Sequence, residues 1–163
     1  SLLDGIRSGS VARAGVAQST CMIVGSVIPY PGIYRLLDDL SVTVRDDDLS
    51  LGRRLFDHPL PASGTPYERI ARGMLERSTG ATKYDQGMVR GMGLVRAARR
   101  TGVHHVILPV LKFCDPWAGD AHNLYWAMTR EGIPFLPLER EYQVPAAGQV
   151  KTRIQAFLEQ LGK

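Results

Sequence analysis

The side chain in this sequence with the most chemical potential is the thiol of Cys114. It follows an apolar run from Val103 to Val110 and stands between Lys112 and Asp115. A run rich in β-branched residues (Val103, Val106, Ile107, Val110) reads as a strand buried on both faces of a parallel sheet. Pro116 is expected to end the regular structure and open a loop, because it has no amide proton and fixes its own φ. The thiol would then stand at the carboxyl end of a central strand, where open α/β sheets bind ligands. A single cysteine is more commonly a small buried hydrophobe than a ligand. Position is what singles this one out.

The other candidates are weaker taken singly. Asp46-Asp47-Asp48 reads as a solvated turn, since no second acidic cluster is placed to complete an octahedral cage. His104 and His105 are neighbours in one strand, so they point to opposite faces and do not share a metal. His58 and His122 read as surface residues. Ser26 and the turn before the first helix could present backbone amides to an anion, with Arg53 and Arg54 adding charge. Ordinary loop closure accounts for the same residues equally well. No GxGxxG, GxxxxGK[ST], CxxC or GxSxG occurs, which argues against the usual nucleotide sites and against serine hydrolysis.

The elements that must position these groups can be read from periodicity. Residues 2–18 look like a loosely packed lead-in with one short helix. Thr20 to Val27 reads as a buried strand, followed by a stiff turn through Pro29, Tyr30 and Pro31. Apolar residues at Ile33, Leu36, Leu37 and Leu40 mark one face of a helix. A second strand spans residues 41–44 and empties into the aspartates. Thr65-Pro66-Tyr67-Glu68 is a helix opening of the capping-box type, with the helix running to about Arg77. After a break at 78–83, a second helix begins at Tyr84. Gly87, Gly91 and Gly93 each cost it roughly 1 kcal/mol against alanine, so it is either frayed or closely approached by another backbone. Gly119 to Arg130 reads as a helix stopped by Gly132. Ile133 to Leu138 is a strand whose prolines place it at a sheet edge. A polar loop leads to a closing helix with Val150, Ile154, Phe157, Leu158 and Leu161 inward.

Four alternations of strand and helix predict a three-layer, doubly wound α/β domain of the flavodoxin or Rossmann kind, with a parallel four-stranded sheet in the order 2-1-3-4. Residues 25–30, 47–54, 112–117 and 139–149 would then meet at one rim. The composition fits. With 163 residues, 44% hydrophobic and 22% charged, the chain has the balance of one globular domain. Its net charge of +4 is spread rather than blocked, which argues against nucleic acid and only weakly for an anionic partner. Two cysteines, Cys21 and Cys114, suggest no disulfide framework and fit a reducing, cytoplasmic setting. No apolar run approaches the ~20 residues that span a membrane, and no secretory leader is apparent.

Several segments also carry a resemblance. Lys112-Phe113-Cys114-Asp115 fits a K-x-C-D turn, Gly132 to Glu139 fits GIP-x-L-x-LE, and residues 148–159 fit GQ-x-x-TR-x-x-AF-x-E. The stretches GSVIPYP and DDDLSLGRR follow the same pattern. From Met22 onward the chain thus resembles the large subunits of 2-hydroxyacyl-CoA dehydratases, such as 2-hydroxyglutaryl-CoA dehydratase, and of benzoyl-CoA reductases. The resemblance implies an oxygen-sensitive [4Fe–4S] enzyme made of two related subunits and acting on an acyl-CoA. A separate ATP-dependent activator protein injects one electron. In the dehydratases this gives a ketyl radical, from which a β-proton and the hydroxyl leave; in the reductases an aromatic thioester is reduced.

By the same resemblance Cys114 is a cluster ligand. As residues of the same rim, Arg54 and Ser50 are expected beside the cofactor, and Glu139 and Ser26 in catalytic, substrate-facing roles. Such subunits are about twice this length and hold further cluster cysteines in an upstream domain. Residues 1–163 are therefore expected to be one α/β domain forming the C-terminal part of a longer subunit, in keeping with a start at Ser1. Cys21, on the first strand, cannot stand in for the missing ligands. Ser50 occupies a position where the pattern D-D-L-C-x-G often has cysteine, and serine is a poor iron ligand. That replacement motivates an alternative: a cluster-free homologue serving as a structural or anion-binding partner subunit.

Overall fold

Each buried strand in this chain has to hide both faces, and two helical layers do that. A computed structural model describes Ser8 and residues 19–29, 31–57, 59–76, 88–141 and 147–162. The expectations for the lead-in before Ser19, for Tyr30 and His58, for the break at 78–83 with the turn after it, and for residues 142–146 fall outside these. Strands β1 (Ser19–Val24), β2 (Val42–Asp48), β3 (His105–Leu111) and β4 (Phe135–Arg140) form one sheet in the order β2-β1-β3-β4. All three pairings are parallel. The helices are α1 (Gly32–Asp39), α2 (Pro66–Glu76), α3 (Met88–Thr101), α4 (Asp115–Arg130) and α5 (Ala147–Gln160).

Because side chains alternate along a strand, β1 feeds two separate cores. Met22 and Val24 join Val106 and Leu108 under Leu94, Val95 and Ala98 of α3 and Leu124 and Met128 of α4. Cys21 and Ile23 join Ile107 and Leu138 under Leu37 of α1 and Ile154 and Leu158 of α5. This is the three-layer, doubly wound α/β arrangement that the alternation predicts, with β4 at an edge as its prolines require. Pro109 lies within the inner strand β3, which proline ordinarily avoids. The β1–β3 pairing runs from Cys21↔His105 to Ile23↔Ile107, so Pro109 sits beyond it.

Three boundaries differ from expectation. β2 continues past Val44 through all three aspartates. Its register to β1 passes from Val44↔Cys21 to Asp46↔Met22, so Arg45 is the extra residue of a bulge. The aspartates stay in the ladder because each meets a partner brought in from elsewhere, which a local reading of DDD does not reveal. α4 begins at Asp115, with Pro116 inside its first turn rather than opening a loop. There the missing amide proton costs nothing and the fixed φ suits the helix. Glu139, expected at the head of the loop after the last strand, is instead part of β4.

Other local signals hold. Thr65 and Glu68 form the reciprocal capping box, with Glu68 N donating to Thr65 Oγ1 at 3.3 Å and Thr65 N to Glu68 Oε2 at 2.8 Å. Gly132, at φ +68°, closes α4. Its amide reaches Thr129 O at 3.1 Å and the Ile133 amide reaches Met128 O at 2.9 Å, the paired bonds of a Schellman end. Gly91 answers the question of the α3 glycines: a Cβ there would lie 2.6 Å from Cβ of Ala127 on α4. Close helix contact, not fraying, is its purpose. Gly93 meets only the far end of Arg96.

α2 stands apart from this order. Only Gly73 of its residues is buried, beneath Leu60 and Pro61. Tyr67, Ile70, Met74 and Leu75 fall at helical spacing on one stripe, yet all are exposed.

Candidate functional site

At the carboxyl end of β3 the chain turns sharply through Lys112 and Phe113 before α4 starts. Phe113 has φ +63° and is 97% exposed. A bulky residue in the left-handed region is uncommon, and such strain is tolerated where the surroundings hold it. The turn sets Cys114 at the N-cap of α4, half-buried. Its amide donates to Leu111 O at 3.1 Å, and its carbonyl accepts the amides of Trp117 at 3.1 Å and Ala118 at 2.9 Å. The thiol itself caps nothing. An anion at this point would face the positive end of the α4 dipole. Lys112 turns away to Glu141 at 2.8 Å, a contact that raises the lysine and holds the carboxyl below its usual range. Cys21, fully buried, is pushed up to about 12 by desolvation and is chemically silent.

Beneath this turn lies a group of charges that spacing alone did not reveal. Asp48, the last residue of β2, is 3% exposed. Arg54, from the 3₁₀ turn Arg53–Leu55, approaches its carboxylate at 3.4 Å. The same guanidinium donates to the Asp48 carbonyl at 2.6 Å and to the Gly25 carbonyl, tying the ends of β1 and β2 together. Arg90 of α3 lies 3.6 Å from the other Asp48 oxygen and is paired with Asp120 of α4. The buried ring of Trp117 receives both cations, Arg90 at 4.4 Å and Arg54 at 5.5 Å from its centroid. Burial lowers the Arg54 guanidinium from its usual value, and Asp48 and Asp47 pull it back up. Two arginines balance two aspartates, so a desolvated group remains neutral overall.

The neighbouring carboxylates are equally engaged. Asp47 Oδ1 accepts the amides of Leu49 at 3.1 Å and Arg53 at 2.9 Å. A Cβ on Gly52 would collide with that carboxylate, so glycine is required for the turn to close. Arg53 binds Asp46 at 3.0 Å and Asp57 at 2.5 Å. The expectation of a solvated acidic turn is therefore corrected: Asp48 is buried, and the triad anchors arginines. Of the two readings of Arg53 and Arg54, charge beside an anion or ordinary loop closure, these ion pairs support the second.

Of the residues singled out from sequence, Ser26 and Ser50 come together, since the Ser50 amide donates to the Ser26 carbonyl at 3.3 Å. Arg54 joins them through Gly25 and Asp48, and reaches Trp117, three residues after Cys114. Glu139 is exposed on edge strand β4, paired in register with Val110 and near enough to Lys112 to influence it. His105 is buried, 3.3 Å from Ser19 Oγ and edge-on to Phe157, while His104 is exposed and accepts the Thr20 amide at 3.1 Å. His122 is exposed and hydrogen-bonded to Trp126 at 3.0 Å. Trp117, Arg90 and Asp120 were missed. The only signal was an arginine on an otherwise apolar stretch of α3 and a tryptophan just after Asp115-Pro116.

Fold and rim together define a doubly wound α/β protein with a single half-buried thiol at the carboxyl end of an inner strand. The chain belongs to the family described as 2-hydroxyglutaryl-CoA dehydratase, D-component, whose sequence model matches residues 3–161. It is similar to lactoyl-CoA dehydratase subunit beta of Anaerotignum propionicum, with 26% identity over 86% of this chain and 38% of that protein. It is also similar to the (R)-phenyllactyl-CoA dehydratase beta subunit of Clostridium sporogenes, at 28% over 84% of this chain and 36% of that protein. (R)-2-hydroxyglutaryl-CoA dehydratase subunit beta of Acidaminococcus fermentans matches at 23% over 93% of this chain and 41% of that protein. The chain thus spans about two fifths of the length of these relatives. No helix among the described residues is long and apolar enough to cross a membrane.

Proposed function

We propose that this chain is the cluster-bearing α/β module of a 2-hydroxyacyl-CoA dehydratase-type beta subunit, acting in elimination of water from a 2-hydroxyacyl-CoA. The relatives support the reaction class, each being named as a subunit of an acyl-CoA dehydratase. The single observation that carries the site is Cys114: a half-buried thiol with no side-chain cap bond, set at the start of α4 on the ligand-binding rim of the sheet.

A [4Fe–4S] cluster is held by four thiolates in most proteins. Among the described residues no group of three or more His, Cys, Asp or Glu could hold a metal. Cys114, a half-buried thiol at the N-cap of α4, fits one corner of a cluster, and the remaining ligands would come from polypeptide outside these residues. When bound, the cluster would supply a low-potential electron to the acyl-CoA. What this chain contributes is a fixed sulfur and a hydrogen-bonded turn around it, with Ser26, Ser50 and Glu139 in the substrate-side and cofactor-side roles expected of them. A homologous partner subunit and an ATP-dependent activator complete the proposed assembly.

Anaerobic loading with iron and sulfide of the protein including its expected upstream domain, in the presence of the companion dehydratase subunit, tests this reading. The expected result is the visible absorbance of an iron–sulfur cluster and turnover of a 2-hydroxyacyl-CoA, both lost in Cys114→Ala. Full cluster absorbance retained in that variant would overturn Cys114 as a ligand, and no cluster absorbance in the unaltered protein would favour the cluster-free homologue, the reading that Ser50 motivates.

A further inference from the structure

Three segments far apart in sequence converge on the ring of Trp117. Arg54 arrives from the turn after β2, carrying the carbonyls of Gly25 and Asp48 with it. Arg90 arrives from α3, held by Asp48 on one side and Asp120 on the other. Trp117 itself belongs to the first turn of α4, and its amide closes onto the Cys114 carbonyl at 3.1 Å. The side chains of Arg90, Asp48, Arg54 and Asp120 are 2%, 5%, 13% and 15% exposed, so screening by water is slight. Guanidinium groups stack on an indole face with a planar geometry that an ammonium does not reproduce.

We propose that Trp117, clasped by Arg54 and Arg90, is a positioning residue that locks the Cys114 turn to the carboxyl ends of β1 and β2. The two rim segments, residues 48–54 and residues 114–118, then open and close as one unit rather than independently. Asp48 is the keystone, because its carboxylate touches both arginines. The consequence for iron rests on the cluster reading given above, in which the Cys114 sulfur must hold its pose relative to the Ser50 turn. The coupling itself needs no iron and is read without it.

Segment-resolved amide hydrogen exchange on the metal-free chain tests the coupling across the gap. Arg54→Met keeps an unbranched apolar stem but loses the planar cation, and it lies on the β2 side. Its expected effect is on the other side: exchange at the Trp117 and Ala118 amides should rise roughly 5- to 30-fold, while Ile154 and its neighbours on α5 keep native protection. Trp117→Leu should do the converse, loosening the amides of Gly52 and Leu55, and Trp117→Phe should restore most of the protection by returning a π face. Unchanged exchange at residues 117 and 118 in Arg54→Met would overturn the proposal, since the segments would then be independent. A uniform rise that includes α5 would overturn it equally, by reducing the clasp to general stability. If Trp117→Leu does not fold, Arg54→Met and Trp117→Phe decide the matter alone. Failure of iron loading leaves this readout untouched, so the two readings fail separately.

Discussion

Asp48 shows how much can turn on one carboxylate. In sequence it is the third of three aspartates, indistinguishable from its neighbours. In the fold it is buried at the end of β2 with an arginine on each oxygen. Removing one member of such a group leaves the opposite charge desolvated and unpaired, which is what makes breaking a buried pair expensive. Arg90→Ala should therefore lower unfolding stability by about 3–5 kcal/mol, as measured by urea titration. Arg72→Ala, on an exposed i,i+4 pair with Glu76 at 3.6 Å, should change it by less than about 1 kcal/mol. The thiol was legible because its type and its strand were both visible locally. The charges beneath it were not, because Arg90 lies 42 positions from Asp48 and 30 from Asp120 in the numbering, and nothing local announces the pairing.

At the scale of elements, the helices divide by what their small residues face. Gly91 of α3 is pressed against Ala127 of α4, whereas Gly93 faces nearly open space. Gly91→Ala forces the helices apart or displaces Ala127 and should destabilise by about 1–3 kcal/mol. Gly93→Ala only removes unfolded-chain freedom and should stabilise by up to about 1 kcal/mol. Opposite shifts in melting temperature are the expected pair; the same sign for both would contradict this packing. Sequence periodicity located these helices well, since a 3.6-residue pattern is a property of each segment alone. Periodicity differs from the structure at two ends: Asp46 to Asp48 read as solvent-seeking yet continue β2, and Pro116 reads as a stop yet lies inside the first turn of α4. Both differences lie at the rim: charge pairs hold the aspartates of β2 in the ladder, whereas Pro116 suits the first turn of a helix as well as it suits a loop.

At the scale of the whole molecule, both faces of the sheet are sealed while α2 is not. Ile70, Met74 and Leu75 are 49%, 66% and 72% exposed, an apolar stripe larger than scattered surface hydrophobes produce. The chain by itself should therefore self-associate at raised concentration. Ile70→Lys with Met74→Glu should suppress this in light scattering, while shifting stability by no more than about 0.5 kcal/mol for each exposed change. Chain topology was readable in advance because strand and helix alternate and crossovers are right-handed. The exposure of the apolar stripe on α2 was not, since an amphipathic pattern states that one face is apolar without stating what it meets.

The entombment of Cys21 carries one more consequence. With that sulfur sealed in the interior and held protonated, the two cysteines of a folded chain cannot find each other. Thiol oxidation of the folded chain can thus proceed through Cys114 alone, and any disulfide that forms must run from Cys114 to something outside the fold. For a chemist wishing to attach a spin label or a fluorophore, nature has left one handle, and it sits at the mouth of the rim.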